Sequence, residues 1–178
     1  MSKHVSRFLS NVLRHKPDNL GITLDKNGWT DVVELLLKLD EKGKTTTLKE
    51  LITIVETNDK KRFEFSEDGE RIRASQGHSV KVDLKLKNER PPTKLYHGTP
   101  NKFVDSILSK GLDKMKRHAV HLSEDIVTAD KVGSRRGNAV ILEIQSARMF
   151  IDGYKFQQST NGVWLTDSVP AKYIRIKL

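Results

Sequence analysis

The first third of the chain carries apolar residues at helical spacing in three successive stretches. The first covers residues 4–15 and stops before Pro17, because proline moves the preceding residue out of the helical region. Thr30 or Asp31 can cap the second stretch, and Thr47 can cap the third. The apolar positions that predict these helices are Val5, Phe8, Leu9, Val12 and Leu13, then Val32, Val33, Leu35, Leu36 and Leu39, then Leu48, Leu51, Ile52 and Val55.

Residues 62–74 alternate between polar and apolar side chains on both sides of an Asp68-Gly69 turn. This pattern predicts a β-hairpin. Three short helices followed by a hairpin is the order of a winged helix, a common nucleic-acid-binding module. Other three-helix domains share this order, so the pattern leaves the identity of the module open.

Beyond residue 90 the apolar stretches are short and typical of strands. Pro91-Pro92 is the best candidate for a domain boundary, and residues 104–108 predict one short helix ended by Gly111. We therefore predict an α+β chain with a lobe over residues 1–90 and a second lobe, built on antiparallel sheet, over residues 91–178. The first predicted strand begins at residue 94. The other predicted strands cover residues 120–122, 140–144, 163–165 and 173–176.

The composition adds charge to this picture. The chain has 178 residues and a net charge of +9, from 32 Lys and Arg against 23 Asp and Glu, and it has no cysteine. The positive balance favours a nucleic acid or a phosphate-rich small molecule as partner, although ordinary solubility explains it equally well. No apolar run approaches the roughly 20 residues that span a bilayer. We expect a soluble, monomeric protein of the cytoplasm.

Several familiar kinds of binding site are excluded because the sequence motifs that mark them are absent. The chain has no Walker loop and no dinucleotide-binding glycine fingerprint of the Rossmann type. His118 and His121 are three residues apart, but no carboxylate or cysteine accompanies them at ligand spacing. We therefore expect no metal. Taken singly, the remaining polar motifs have structural explanations, such as helix ends, strand ends and solvated loops.

The motifs become informative when they are taken together and in order. Their order and spacing closely resemble the RNA 2′-phosphotransferase family, the enzymes that finish tRNA splicing in fungi, over essentially the whole chain. The chain departs from the usual family pattern at Ser75 and Ala119. The segments that carry the resemblance are Leu13-Arg14-His15-Lys16-Pro17, Gly28-Trp29-Thr30-Asp31-Val32, Ile72-Arg73-Ala74-Ser75-Gln76-Gly77-His78-Ser79, Leu95-Tyr96-His97-Gly98-Thr99, Val120-His121-Leu122-Ser123, Val132-Gly133-Ser134-Arg135 and Asn161-Gly162-Val163-Trp164-Leu165-Thr166 with Val169-Pro170.

The resemblance implies a winged-helix lobe that binds RNA and an ADP-ribosyltransferase-like lobe that binds NAD. It implies a catalytic quartet, which maps onto Arg14, His15, Arg73 and Arg135. The NAD contacts that it implies are His97, Gly98, Thr99, Ser106, Ile107, Arg117, His121 and Ser123, with the Gly98 backbone meeting the nicotinamide carboxamide. The candidate RNA contacts are Arg14, Lys16, Gln76, His78 and Arg136.

The implied reaction consumes NAD as a co-substrate. An internal 2′-phosphate of RNA is largely dianionic at neutral pH and is already a nucleophile. It displaces nicotinamide to give an RNA-2′-phospho-ADP-ribose, which then releases 2′-hydroxyl RNA and ADP-ribose 1″,2″-cyclic phosphate. Arginines suit this site because each guanidinium can hold phosphate oxygens bidentately. His15 is the member of the quartet whose residue type titrates near neutrality, so it is the candidate proton carrier.

One absence supports a phosphate acceptor. Protein-directed ADP-ribosyltransferases usually place a glutamate in their last signature motif, whereas residues 162–165 contain no acid.

Two alternatives remain open. The chain could transfer ADP-ribose to a terminal phosphate of nucleic acid without a second step, or it could be a winged-helix regulator that binds NAD without catalysis.

Overall fold

The computed structural model describes residues 2–177, except for the side chains of Ser2, Lys3 and Arg136. The described chain divides into two compact units, one ending at Lys85 and the other beginning at Leu86. Both combine helices with small antiparallel sheets, so the chain is of the α+β class. The boundary predicted after residue 90 stays a prediction.

The described residues of unit 1 form three α-helices and three strands, in the order helix, strand, helix, helix, strand, strand, with a short 3₁₀ helix at Pro17–Asn19 after the first helix. The strands form one antiparallel sheet in which β3 is central and β1 and β2 lie at the edges. The elements are α1 (Ser2–Val12), β1 (Thr30–Asp31), α2 (Val32–Glu41), α3 (Leu48–Glu56), β2 (Phe63–Phe65) and β3 (Arg71–Ala74).

The register of this sheet decides which side chains face the core. Ile72 on β3 lies opposite Thr30 on one side and Phe65 on the other. Ile72 is fully buried and packs in a core with apolar residues of all three helices. Because strand side chains alternate between faces, the neighbouring row through Arg73 points to the other face of the sheet.

The three helices and the hairpin of unit 1 confirm the predictions from the apolar pattern. Asp31 is the N-cap of α2, and its side chain accepts a hydrogen bond from the backbone N–H of Glu34. Thr47 forms a reciprocal capping box with Glu50 at the start of α3. The two-residue strand β1 was not predicted, since so short a strand carries no alternation that could be recognised.

Unit 2 consists of short elements, as predicted, but it is more helical than the sequence pattern indicated. Its eight strands form two sheets of three strands and one pair, all antiparallel. The elements are β4 (Leu95–Pro100), α4 (Val104–Lys110), β5 (Leu112–Asp113), β6 (Val120–Leu122), α5 (Ile126–Gly133), β7 (Ala139–Ile144), α6 (Ser146–Ile151), β8 (Gln157–Gln158), β9 (Trp164–Thr166), β10 (Ser168–Val169) and β11 (Ile174–Ile176).

Two of these sheets position the candidate site. β7 is central in one sheet, between β4 and β11, and β9 is central in another, between β6 and β8. A reciprocal pair of backbone hydrogen bonds between Tyr96 and Ser123 joins the edges of β4 and β6. Large apolar side chains from both sheets, with Phe156 just before β8, pack into one core that includes Leu95, Leu122, Leu142 and Trp164.

The helix α5 was missed by the sequence pattern for a physical reason. Its large apolar residues Val127 and Val132 face solvent, with Val127 77% exposed, whereas Ala129 and Gly133 are the residues that it buries. A helix that packs through small residues has no apolar stripe for periodicity to detect. Within residues 2–177, no helix is long and apolar enough to cross a membrane.

The capping box of α3 provides a test of this part of the fold. We expect Thr47→Ala to lower the free energy of unfolding by about 1 kcal/mol, because the backbone N–H of Glu50 loses its acceptor. Urea denaturation measures this change. Thr53→Ala is the matched control, since Thr53 is exposed within the same helix and alanine is the better helix former. Equal losses for both variants would contradict a capping role for Thr47.

Candidate active site

Arg14 and His15 lie in the turn that follows α1, where they meet the loop that follows β3. The backbone carbonyl of Arg14 accepts hydrogen bonds from the backbone N–H groups of Ser79, at 2.9 Å, and Val80, at 3.3 Å. The Nδ1 atom of His15 is 2.9 Å from the hydroxyl oxygen of Ser79. Two segments that are far apart in sequence are thus tied together, and strand β3, which carries Arg73, leads directly into this loop.

A glycine and a buried histidine shape the same loop. Gly77 has a φ of +87°, a backbone conformation that residues with a side chain rarely adopt. A Cβ atom added at Gly77 would lie 3.8 Å from the guanidinium of Arg14. His78 is only 1% exposed. Its Nε2 would lie 3.3 Å from a Cβ atom added at Gly28. The predicted contact of His78 with RNA stays a prediction, but this burial favours a role in holding the loop.

Arg73 lies on β3 in a row of side chains that crosses the sheet. Its Nε donates to the carboxylate of Glu64, its cross-strand neighbour on β2, at 2.7 Å. Its Nη1 donates to the backbone carbonyls of Asn27, at 3.2 Å, and Leu84, at 3.4 Å. The guanidinium carbon lies 4.3 Å from the ring centroid of Trp29. The sequence motifs included Trp29 but gave no reason to connect Arg73 with Glu64.

In unit 2, His97 on β4 has a defined pattern of donor and acceptor. Its Nδ1 is 3.1 Å from the backbone carbonyl oxygen of His121. A carbonyl only accepts, so Nδ1 carries the proton and Nε2 is left as an acceptor. Burial lowers the pKa of His97; the Arg117 charge acts in the same direction, and the His121 carbonyl opposes both. His97 can therefore accept a hydrogen bond from a hydroxyl or an amide while remaining neutral.

Gly98 is required by a close contact between β4 and α5. A Cβ at Gly98 would lie 1.9 Å from the backbone oxygen of Ala129, and one at Gly133 would lie 2.9 Å from the Cα of Gly98. Strand and helix therefore touch through their backbones. Arg135 follows Gly133 by two residues. The contact therefore also fixes the position of the backbone that carries Arg135.

The other predicted NAD residues of the strands lie close to His97 in the fold. Thr99 is buried on β4 opposite Val140, and His121 is half-buried on β6. Ser123 is half-buried, and its backbone pairs with Tyr96. Neighbouring strand ends therefore bring these four predicted residues, His97, Thr99, His121 and Ser123, to one region of unit 2.

The remaining predicted residues are placed as follows. Ser106 is exposed on α4, whereas Ile107 is half-buried and packs against the core of unit 2, which gives it a structural role of its own. Arg117 and Arg135 are exposed, in a turn and in the short 3₁₀ helix after α5 respectively. In unit 1, Lys16 is exposed and Gln76 is half-buried; the side chain of Arg136 lies outside the described residues.

The structure also brings an acid to the last signature motif, which residues 162–165 lack. One carboxylate oxygen of Glu124 accepts from the indole N–H of Trp164 at 2.7 Å and from the side-chain amide of Gln158 at 3.0 Å. Sequence reasoning missed this residue because Glu124 is about 40 residues from the motif in the chain. Two donors already hold this oxygen, so it is a poor candidate to polarise a substrate.

Unit 2 also contains a cavity of about 420 Å³ that the sequence did not indicate. None of the predicted catalytic or NAD residues lines it. Among the described residues, no three His, Asp or Glu side chains are placed to hold a metal ion. The cavity is lined by Asn88, His118, Ala119, Gly153, Tyr154, Lys155, Gln157, Leu165, Thr166 and Asp167.

Comparison with known proteins decides the family. A sequence model described as "RNA 2′-phosphotransferase, Tpt1 / KptA family" matches residues 1–168. The chain belongs to this family. It is 54% identical to a probable RNA 2′-phosphotransferase of Flavobacterium johnsoniae, over 99% of this chain and 97% of the relative. It is 53% identical to a protein of the same name from Burkholderia pseudomallei, over 98% and 95%.

A third relative, from Agrobacterium fabrum, has the same name and is 49% identical over 99% of this chain and 95% of its own length. Membership of this family makes the chain an enzyme of the transferase class. It confirms the family that the ordered motifs predicted. The roles of the individual residues remain predictions.

The contact at Gly98 is tested by filling it. We expect Gly98→Ala to lower the free energy of unfolding by at least about 2 kcal/mol, because the added methyl meets backbone rather than a movable side chain. Denaturant unfolding measures the loss, and exposed Ser134→Ala, one residue after Gly133, is the control. A Gly98→Ala protein as stable as the wild type would show that the strand and helix can separate without cost.

The lowered pKa of His97 predicts a pH dependence of stability. Between the folded pKa and the unfolded value of 6.5, the unfolded chain binds more protons. The free energy of unfolding should therefore fall as the pH drops below 6.5. His97→Asn keeps a donor for the His121 carbonyl, and should flatten this dependence in denaturation experiments over a pH series. His118→Asn, a change at an exposed imidazole, is the control. An unchanged slope in His97→Asn would contradict the assignment.

Proposed function

We propose that this enzyme removes an internal 2′-phosphate from RNA in an NAD-dependent reaction. The RNA-2′-phosphate would be joined to ADP-ribose with release of nicotinamide, and ADP-ribose 1″,2″-cyclic phosphate would then leave 2′-hydroxyl RNA. Family membership supports the phosphate transfer. The observation that carries the residue assignment is the contact of the Arg14-His15 turn with the loop after β3.

Unit 1 supplies the groups that bind and orient the phosphate in this proposal. Arg14 is placed against Gly77, where the absence of a side chain leaves its guanidinium room to lie along the loop. His15 is exposed, and the contact of its Nδ1 with the Ser79 hydroxyl orients the imidazole ring. An imidazole oriented in this way can hold or deliver a proton at the leaving 2′-oxygen.

Unit 2 supplies the groups that fit NAD. The acceptor at His97 Nε2 suits a ribose hydroxyl or the amide of the nicotinamide group, each of which can donate a hydrogen bond. The polar residues Thr99, His121 and Ser123 come from neighbouring strand ends beside it. Arg135 is the quartet member of this unit, and its exposure leaves its charge available to an anionic substrate.

The same proposal covers the two lobes. The order of elements in unit 1, with its capped helices and three-stranded sheet, supports a winged helix as the RNA-binding lobe. The small antiparallel sheets of unit 2 support an ADP-ribosyltransferase-like lobe as the NAD-binding one. We propose that the protein works as a monomer in the cytoplasm, on RNA with a splice-junction type of 2′-phosphate.

A second function shares the same residues. Transfer of ADP-ribose to a terminal phosphate of nucleic acid would need the NAD groups and the arginines but no second step. The NAD-binding regulator without catalysis is disfavoured, since family membership makes the chain an enzyme.

The decisive experiment uses a short RNA with one internal 2′-phosphate, incubated with and without NAD in the presence of EDTA. We expect the wild-type protein to remove the phosphate only with NAD, with ADP-ribose cyclic phosphate as the second product resolved by mass spectrometry. Alanine variants of Arg14, His15, Arg73 and Arg135 should each lose at least about 100-fold in rate, the scale of a lost transition-state donor.

The products distinguish the proposals. Accumulation of ADP-ribosylated RNA by His15→Ala or Arg73→Ala would assign those residues to the second step. If the wild-type protein leaves the internal 2′-phosphate in place but modifies a terminal phosphate, the second function replaces the first. Loss of turnover in EDTA would contradict the reaction without a metal. Lys116→Ala, which removes an exposed charge outside the quartet, is the control for general charge effects.

A further inference from the structure

The surroundings of Arg73 limit how this arginine can meet a phosphate. Continuing the β1 pairing by one residue places Trp29 opposite Arg73, and Glu64 lies opposite it on the other side. The three side chains therefore share one face of the sheet, with Arg73 in the middle. The Arg73 side chain is only 12% exposed and that of Glu64 is 22% exposed.

The donors of the guanidinium can be counted one by one. Arginine has five N–H groups, one on Nε and two on each terminal nitrogen. Nε donates to Glu64, and Nη1 donates to two backbone carbonyls. The structure gives Nη2 no acceptor among the described residues. Only the Nη2 face is left for a ligand.

This arrangement limits which edge of the Arg73 guanidinium can take part in bidentate binding of a phosphate. The pairing with Glu64 occupies the Nε edge, and the two carbonyls occupy Nη1. The carboxylate also balances the charge of the guanidinium. Arg73 can therefore donate hydrogen bonds to a ligand through Nη2. Because its charge is paired with Glu64, it differs from an unpaired cation that attracts phosphate from a distance.

The acceptors that hold Arg73 are themselves fixed. The Asp25 carboxylate accepts from the backbone N–H groups of Asn27 and Trp29, which holds the turn that carries one of the carbonyls and the ring. The side-chain amide of Asn27 donates to the carbonyl of Asp83, at 2.6 Å, which ties this turn to the segment that carries the second carbonyl. The cradle around Arg73 is therefore held by hydrogen bonds within the chain itself.

We propose that Glu64 and Trp29 are positioning residues, which hold Arg73 so that Nη2 alone points to the RNA 2′-phosphate. This inference rests on the proposed function for the identity of the substrate. Glu64 orients the guanidinium within its plane through Nε, and the Trp29 ring supports its face by a cation–π contact. Neither residue touches the substrate; both act through Arg73.

The test compares Glu64→Ala with Glu64→Gln in the internal 2′-phosphate assay. Glutamine keeps an oxygen that accepts from Nε, and alanine does not. We expect Glu64→Ala to reduce kcat by about 10- to 100-fold, the cost of a misoriented reacting group. Its KM for NAD should be unchanged, and it should slow the same step as Arg73→Ala. Glu64→Gln should stay within about 3-fold of the wild type, since a neutral acceptor still orients Nε.

A double-mutant cycle separates positioning from general damage. If Glu64 acts through Arg73, adding Glu64→Ala to Arg73→Ala should cause no further loss in single-turnover rate. Glu67→Ala is the matched control, because it removes one negative charge from the same hairpin at an exposed site away from Arg73. We expect that variant to keep the wild-type rate.

Two outcomes would overturn the inference. A folded Glu64→Ala enzyme with the wild-type rate would do so, as would equal defects in Glu64→Gln and Glu64→Ala. A wild-type protein that leaves the 2′-phosphate in place would instead contradict the proposed function. If the melting temperature shows that Glu64→Ala is unfolded, Trp29→Leu and Trp29→Phe replace it. We then expect phenylalanine to keep most of the rate and leucine to lose it, and wild-type activity in folded Trp29→Leu would refute the role of the ring.

Discussion

A guanidinium that is mostly removed from water must find acceptors, and unit 1 is organised around that requirement at Arg73. The antiparallel register of β2 and β3 places a carboxylate directly opposite it. Burying an arginine without such a partner would be strongly unfavourable. The turn at residues 25–29 and the segment at 83–84 supply the remaining acceptors, so the sheet and both loops depend on the same charged group.

Unit 2 meets a comparable constraint with backbone instead of charge. β4 and α5 approach so closely at Gly98 that neither side has room for a side chain. The strand carries His97, whose neutral ring has one fixed donor and one fixed acceptor, and the helix leads to Arg135. Both units therefore place their polar groups through contacts that belong to the fold itself.

The sequence predicted the parts of this structure that follow from local rules. The caps at Asp31 and Thr47 and the hairpin around Gly69 were recognised because each has a local signal. The family was predicted from motif order. The connection of Glu64 with Arg73 was not predictable, since it depends on strand register. The helix α5 escaped because it buries Ala129 and Gly133, and the reason for Gly98 appeared only when the helix was seen against it.

The Gly98 contact also has a consequence for how such a protein can diverge. A clash with a flexible side chain can be relieved by a second substitution nearby, but the atoms that oppose Gly98 are a carbonyl and a peptide backbone, which every residue has. No change of neighbour can open this space, so a larger residue at position 98 requires the helix to move and Arg135 with it. A substitution of Gly98 would therefore also move an arginine of the proposed site. The solvent-facing valines of the same helix can be substituted without this effect.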